Sequence, residues 1–105
     1  MSERRRLPNR RACETFELEV SGLRYTATVS RFADGLVGEL FLTNHKSNSA
    51  ADINARDAAV TFSIAVQSGA DAEQIRRALS RDSQGRATGV LGAALDAIAE
   101  QERRR

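Results

Sequence analysis

Tryptophan is absent from this 105-residue chain, and cysteine, histidine and lysine occur once each, as Cys13, His45 and Lys46. A lone cysteine excludes an intramolecular disulfide framework and suits a reducing compartment. Cys13 and His45 stand 32 positions apart, and no Cys-x-x-Cys or His-x-x-x-His spacing is present. Metal ligation therefore has no sequence signature, and neither does a nucleophile–base pair. Glu17 and Glu19 share one strand face, which is the ordinary arrangement of solvent-facing carboxylates. Neither catalytic residues nor a metal or cofactor is expected. Apolar runs are short of the roughly 18 residues that a membrane helix needs. The opening "MSERRRLPNRRACE" lacks the apolar core of a signal peptide. These absences predict a protein without membrane association, located in the cytoplasm, or in the host cytoplasm if phage-encoded.

What is present describes one modest globular domain. Hydrophobic residues make up 41% and charged residues 29%, a balance that opposes wholesale disorder. The net charge of +2 is unevenly spread: +4 on residues 1–11, +1 on residues 100–105, and hence −3 on the stretch between. The sequence thus divides into a disordered basic tail at 1–12, a folded domain at 13–99 and a second basic tail at 100–105. Contact with nucleic acid is expected through the Arg tails only.

From Glu14 to Thr43 apolar and polar residues alternate with period two. "TFELEV" sets Phe16, Leu18 and Val20 on one face, and "LRYTATV" does the same with Leu23, Tyr25, Ala27 and Val29. Ser21-Gly22 between them fits a two-residue hairpin turn. "ADG" at 33–35 marks a second turn, and "LVGELFL" a third strand. Gly38 inside that strand predicts a bulge or a close backbone approach. Because Glu39 is bracketed by apolar residues, both faces of the third strand are expected to be covered, with Tyr25 and Phe41 in the core.

The period then changes. Asp52–Ser68 places Ala55, Ala58, Phe62 and Ala65 on one helical stripe, widened by Ala59 and Val66. Gly69 is a helix stop, and Asp71 caps "AEQIRRALSR", with Gln74 three residues on. "DSQGRATG" reads as a loop, and Leu91, Leu95 and Ile98 define a last helix. The expected fold is α+β: an antiparallel β-meander packed on a long α-helix, followed by two shorter helices. A three-stranded sheet exposes edges, which favours a homo-oligomer.

The loop "NHKSNS", Asn44 to Ser49, leaves a strand and enters the long helix. Unpaired N–H groups and the helix dipole at such a start favour an anion. Lys46 adds a positive charge, while Ser47, Asn48 and Ser49 add short donors. Asn54 and Arg56 follow in the early turns, and Arg86 stands in a second, Arg-bearing loop. These seven residues form the candidate phosphate or nucleotide site. The loop has no glycine, so it is not a Walker A loop. Small polar residues before a helix also serve as caps and turns.

The stretch from Phe16 to Ala99 resembles the TSCPD domain. That domain occurs at the C-terminus of cobalamin-dependent ribonucleotide reductases and in small stand-alone bacterial and phage proteins. The likeness rests on the order of short motifs: the Asp34-Gly35 turn and "VGELFL", Lys46-Ser47, "SIAVQSG", "AEQIRRAL" and "LDAIA". Where the family has Thr-Ser-Cys-Pro-Asp, this chain has Gly92, Ala93, Ala94, Leu95 and Asp96, so only the aspartate remains. Any role of that cysteine is absent. The resemblance implies a non-catalytic, nucleotide-related accessory module, not reductase turnover. In size and architecture the chain is also similar to phage counter-defence proteins that sequester cyclic nucleotide or cyclic ADP-ribose signals. A protein–protein inhibitor or accessory subunit is the further alternative.

Overall fold

The computed structural model describes residues 4–10 and 12–104. Strand β1 (Cys13–Val20) turns through Ser21-Gly22 into β2 (Leu23–Arg31), and β3 (Val37–Asn44) completes an antiparallel sheet in the order β1-β2-β3. Helices α1 (Ala50–Gln67), α2 (Ala72–Ala78) and α3 (Val90–Arg103) follow. This is the α+β architecture that the periodicities predict.

The hairpin turn forms because Ser21 and Gly22 both take positive φ, 52° and 78°. That pair matches the right-handed twist of the flanking strands. At the other end of β2 the register with β3 shifts between Ser30 and Arg31. There Gly38 is closely approached: a Cβ on it would lie 2.7 Å from Leu7 Cδ2 and 2.9 Å from Phe32 Cε1. The bulge and the close approach expected of Gly38 occur together.

One face of the sheet is the core. Tyr25, Ala27, Val29, Leu40 and Leu42 meet Ala55, Ala59, Phe62 and Val66 of α1 and Ala94, Leu95 and Ile98 of α3 in one cluster. The buried stripe of α1 is therefore rotated from the Ala55–Ala58–Phe62–Ala65 row toward Ala59 and Val66. Ala58 and Ala65 are only half-buried. The other sheet face is largely open, and Phe41 on it is 50% exposed. Coverage of both faces of β3 is thus corrected: the covering helices all lie on the Leu40–Leu42 side.

The edge of β3 is closed by an unusual device. Asp52, Ser63 and Gln67 form a second, polar stripe along α1, and all three are buried. Ser63 Oγ accepts from the Leu40 N–H (2.9 Å) and donates to the Leu40 carbonyl (3.1 Å). Asp52 Oδ1 accepts from the Asn44 N–H, and Gln67 Nε2 donates to the Gly38 carbonyl. A helix thus supplies the partners that another strand would supply.

The chain ends also meet the fold. Arg4 Nε donates to Gln67 Oε1 at 2.6 Å, the Arg5 N–H donates to the Gln67 carbonyl, and the Arg5 guanidinium pairs with Asp34 at 2.8 Å over the Phe32 ring. Residues 1–3 and 11 of the expected basic tail lie outside the described residues. At the other end α3 continues to Arg103, where Glu100 pairs with both Arg103 and Arg104.

Candidate functional site

The loop from Asn44 to Ser49 is built from local side-chain–backbone bonds. Asn44 Oδ1 accepts from the Lys46 N–H (2.9 Å), and Asn44 Nδ2 donates to the Arg24 carbonyl (3.1 Å). Asn48 takes φ +60°, the left-handed region that asparagine tolerates. Ser49 is the N-cap of α1: its Oγ accepts from the Asp52 N–H (3.1 Å) and donates to the Lys46 carbonyl (2.7 Å).

The charge that organises this loop belongs to Asp52. Its Oδ1 accepts from the Asn44 N–H and its Oδ2 from the Asn48 N–H, both at 2.9 Å, and the residue is 3% exposed. These two amides hold its carboxyl below the ordinary aspartate range, with the Arg56 charge adding to the effect. An anion does sit at this helix start, and it is the chain's own. Asp52 was outside the seven candidate residues. Its signal was the Ser49-x-x-Asp52 spacing, a capping-box pattern just before the apolar stripe.

The candidate residues are only partly brought together. Lys46, Ser47 and Asn48 are exposed, and Ser49 is spent on the cap. Among the described residues the Lys46 ammonium has no ion-pair partner. Arg56 Nη1 stands 3.8 Å from Asp52 Oδ2. Asn54 is exposed. The amides of Ala50 and Ala51, in the first turn of α1, have no protein acceptor among the described residues. Arg86 pairs instead with Asp82 in its own loop, at 3.3 Å. Among the described residues no hydrogen bond or ion pair joins Arg86 to the Asn44–Ser49 loop.

A second charged cluster ties α2 to α3. Asp96 receives Arg81 at two points, Nη1 to Oδ2 and Nη2 to Oδ1, each 2.8 Å, and Arg76 Nη1 at 3.0 Å. Arg76 also pairs with Glu73, and Arg81 donates to the Gly85 and Arg76 carbonyls. The Arg81 contact, with Arg76, holds the Asp96 carboxyl below its usual range. Two cations meet two anions here, and Arg76 Nε, Nη1 and Nη2 and Arg81 Nη1 and Nη2 all donate to acceptors of the protein itself. The cluster is a brace, not an open anion site. Asp96 thus holds the helices together.

Cys13 and His45 remain apart. Cys13 Sγ lies 2.9 Å from Ser30 Oγ, whereas His45 Nε2 lies 3.4 Å from Thr26 Oγ1 and 3.9 Å from Glu17 Oε2. Ser30 and Thr26 are four residues apart on β2, about 13 Å. Among the described residues no group of three His, Cys, Asp or Glu side chains is placed to hold a metal ion. No described helix is long and apolar enough to cross a membrane.

No family model and no solved structure matches the chain. A 72-residue stretch, 69% of the chain, is 33% identical to the vitamin B12-dependent ribonucleotide reductase of Agrobacterium fabrum (strain C58). The chain matches only 6% of that enzyme's length. A relation to one region of that reductase is established, while the TSCPD resemblance has no matching family model behind it.

Proposed function

We propose that this chain is a non-catalytic accessory module related to that reductase region, and that it acts by docking on a B12-dependent ribonucleotide reductase polypeptide. The carrying observation is the outer face of α1. Ile53, Val60 and Ile64 recur at helical spacing, and all three are exposed. Asp52, Ser63 and Gln67 meanwhile satisfy β3 from an adjoining stripe of the same helix. An exposed aliphatic row on a helix that also buries Asp52, Ser63 and Gln67 favours a protein partner. Sedimentation of the chain with such a reductase tests the idea. A complex is expected, and the Ile53→Ser/Val60→Ser/Ile64→Ser variant abolishes it while its circular dichroism stays unchanged. Unaltered sedimentation and turnover of the reductase would refute the proposal, and nucleotide turnover by the isolated chain would refute its non-catalytic part.

A second reading is a nucleotide phosphate held at the start of α1. It is supported by the Ala50 and Ala51 amides, the ammonium of Lys46 and the guanidinium of Arg56. The Asp52 carboxylate weighs against it, because it already holds the neighbouring Asn44 and Asn48 amides. Calorimetric titration with ATP and with cyclic nucleotides separates the two readings. Affinity lost in both Lys46→Ala and Arg56→Ala supports this second one, and affinity surviving both moves the ligand elsewhere.

A further inference from the structure

The two edges of the sheet are treated differently. On β3, α1 brings Asp52, Ser63 and Gln67 to the outward-pointing groups of Asn44, Leu40 and Gly38. β1 has β2 as its one neighbour. The Ser21-Gly22 turn makes Val20 and Leu23 a hydrogen-bonded pair, and the register runs on through Leu18↔Tyr25 and Phe16↔Ala27. The N–H and C=O groups of Thr15, Glu17 and Glu19 therefore point away from the sheet. All three residues are exposed, and among the described residues no other element bonds their backbone.

The charge on this edge selects its partner. β1 carries Glu14, Glu17 and Glu19 and no basic residue. Arg24 stands across from Glu19 on β2, and His45 lies 3.9 Å from Glu17, so the compensation of Glu17 and Glu19 among the described residues comes from the inner side. A second copy on the same edge would gather Glu17 and Glu19 of each chain on one face of the seam, and like charges facing each other across strands are destabilising. The other row of β1, Phe16, Leu18 and Val20, is half-buried and leaves apolar surface beside the edge.

We infer that the β1 edge is a docking site for an extended segment of a basic protein, which joins the sheet as a fourth strand. Main-chain bonds from Thr15, Glu17 and Glu19 supply the affinity. Arg or Lys at alternate positions of the segment pairs with Glu17 and Glu19, and apolar side chains between them extend the Phe16–Leu18–Val20 row. The site is separate from the outer face of α1, so either assignment can fail without the other.

A short peptide alternating Arg and Val, with a Glu-and-Val peptide as control, tests this by fluorescence anisotropy and amide hydrogen exchange. The basic peptide is expected to bind and to slow exchange of the Thr15, Glu17 and Glu19 amides by about tenfold or more, leaving α1 amides unchanged. Glu17→Pro removes an N–H that faces out of the sheet, so it is expected to fold and to lose binding. Glu17→Lys/Glu19→Lys, which keeps the backbone donors, is expected to bind the acidic peptide in preference. Binding that persists in folded Glu17→Pro, or unchanged peptide preference in the Lys variant, overturns the inference. So does self-association of the free chain that Glu17→Pro abolishes, since it would assign the edge to a second copy.

Discussion

Ser63 Oγ sits 2.9 Å from the Leu40 nitrogen and 3.1 Å from the Leu40 oxygen, so one hydroxyl meets both outward-facing backbone groups of a single strand residue. Its one proton is shared between the Leu40 carbonyl and the Ala59 carbonyl, the latter at 2.8 Å. Ser63→Ala leaves a buried Leu40 N–H without an acceptor, at a cost of about 1–3 kcal/mol. Chemical denaturation is expected to show a lower midpoint with an unchanged slope. Exchange of the Leu40 amide should quicken more than that of Val29 across the sheet.

Gly38 sits beneath Leu7 and Phe32, and the two contacts differ in how they can yield. The Leu7 methyl is the end of a flexible side chain, whereas the Phe32 ring is buried. Gly38→Ala should destabilise by about 1–3 kcal/mol through overpacking. In a Leu7→Ala background the penalty should shrink, which a double-mutant cycle reads directly. Equal penalties in both backgrounds would show that the N-terminal segment does not hold this position.

Asp96 joins α3 to α2 and to the loop after it through Arg81 and Arg76. Asp96→Ala strands two guanidinium groups at a partly buried site, and about 1–2 kcal/mol of stability is expected to go with them. Arg81→Lys should not restore it, because an ammonium cannot make the two-point contact. Thermal melts of the three proteins at one ionic strength check this.

Acid should unfold the protein through its aspartates. The folded-state pKa values of Asp52 and Asp96 are lowered, chiefly by the Asn44 amide and by Arg81 respectively. A lowered folded pKa gives stability that is fully present above the unfolded value, about 3.9, and is lost as pH falls through the folded value. Stability is therefore expected to be flat near neutrality and to drop below about pH 4. In Asp52→Asn the amide nitrogen would face a backbone donor. That variant should melt lower at neutral pH and lose less on acidification, as urea titrations at several pH values would report.

The α1 start shows how far spacing alone can reach. Ser49, Asn48 and Lys46 were legible as a polar helix entry, because caps are local and draw on few residue types. Their ligand was not, since the acceptor for the Asn44 and Asn48 amides is a side chain one turn into the helix. A phosphate and an internal carboxylate satisfy the same amides, and the loop sequence does not distinguish them.

By itself the sequence determined the three strands, the Ser21-Gly22 hairpin, the long helix and its stop at Gly69. Each follows from a period or a turn residue that acts over a few positions. Phe41 escaped this logic, because alternation gives the face of a strand but not whether anything covers that face. Only the tertiary structure decided that α1 seals the β3 edge through Asp52, Ser63 and Gln67, and that Asp96 draws in Arg76 and Arg81. Those bonds join residues from 8 to 29 positions apart, and they form only when packing of Phe62, Leu95 and Ile98 has fixed where each helix lies.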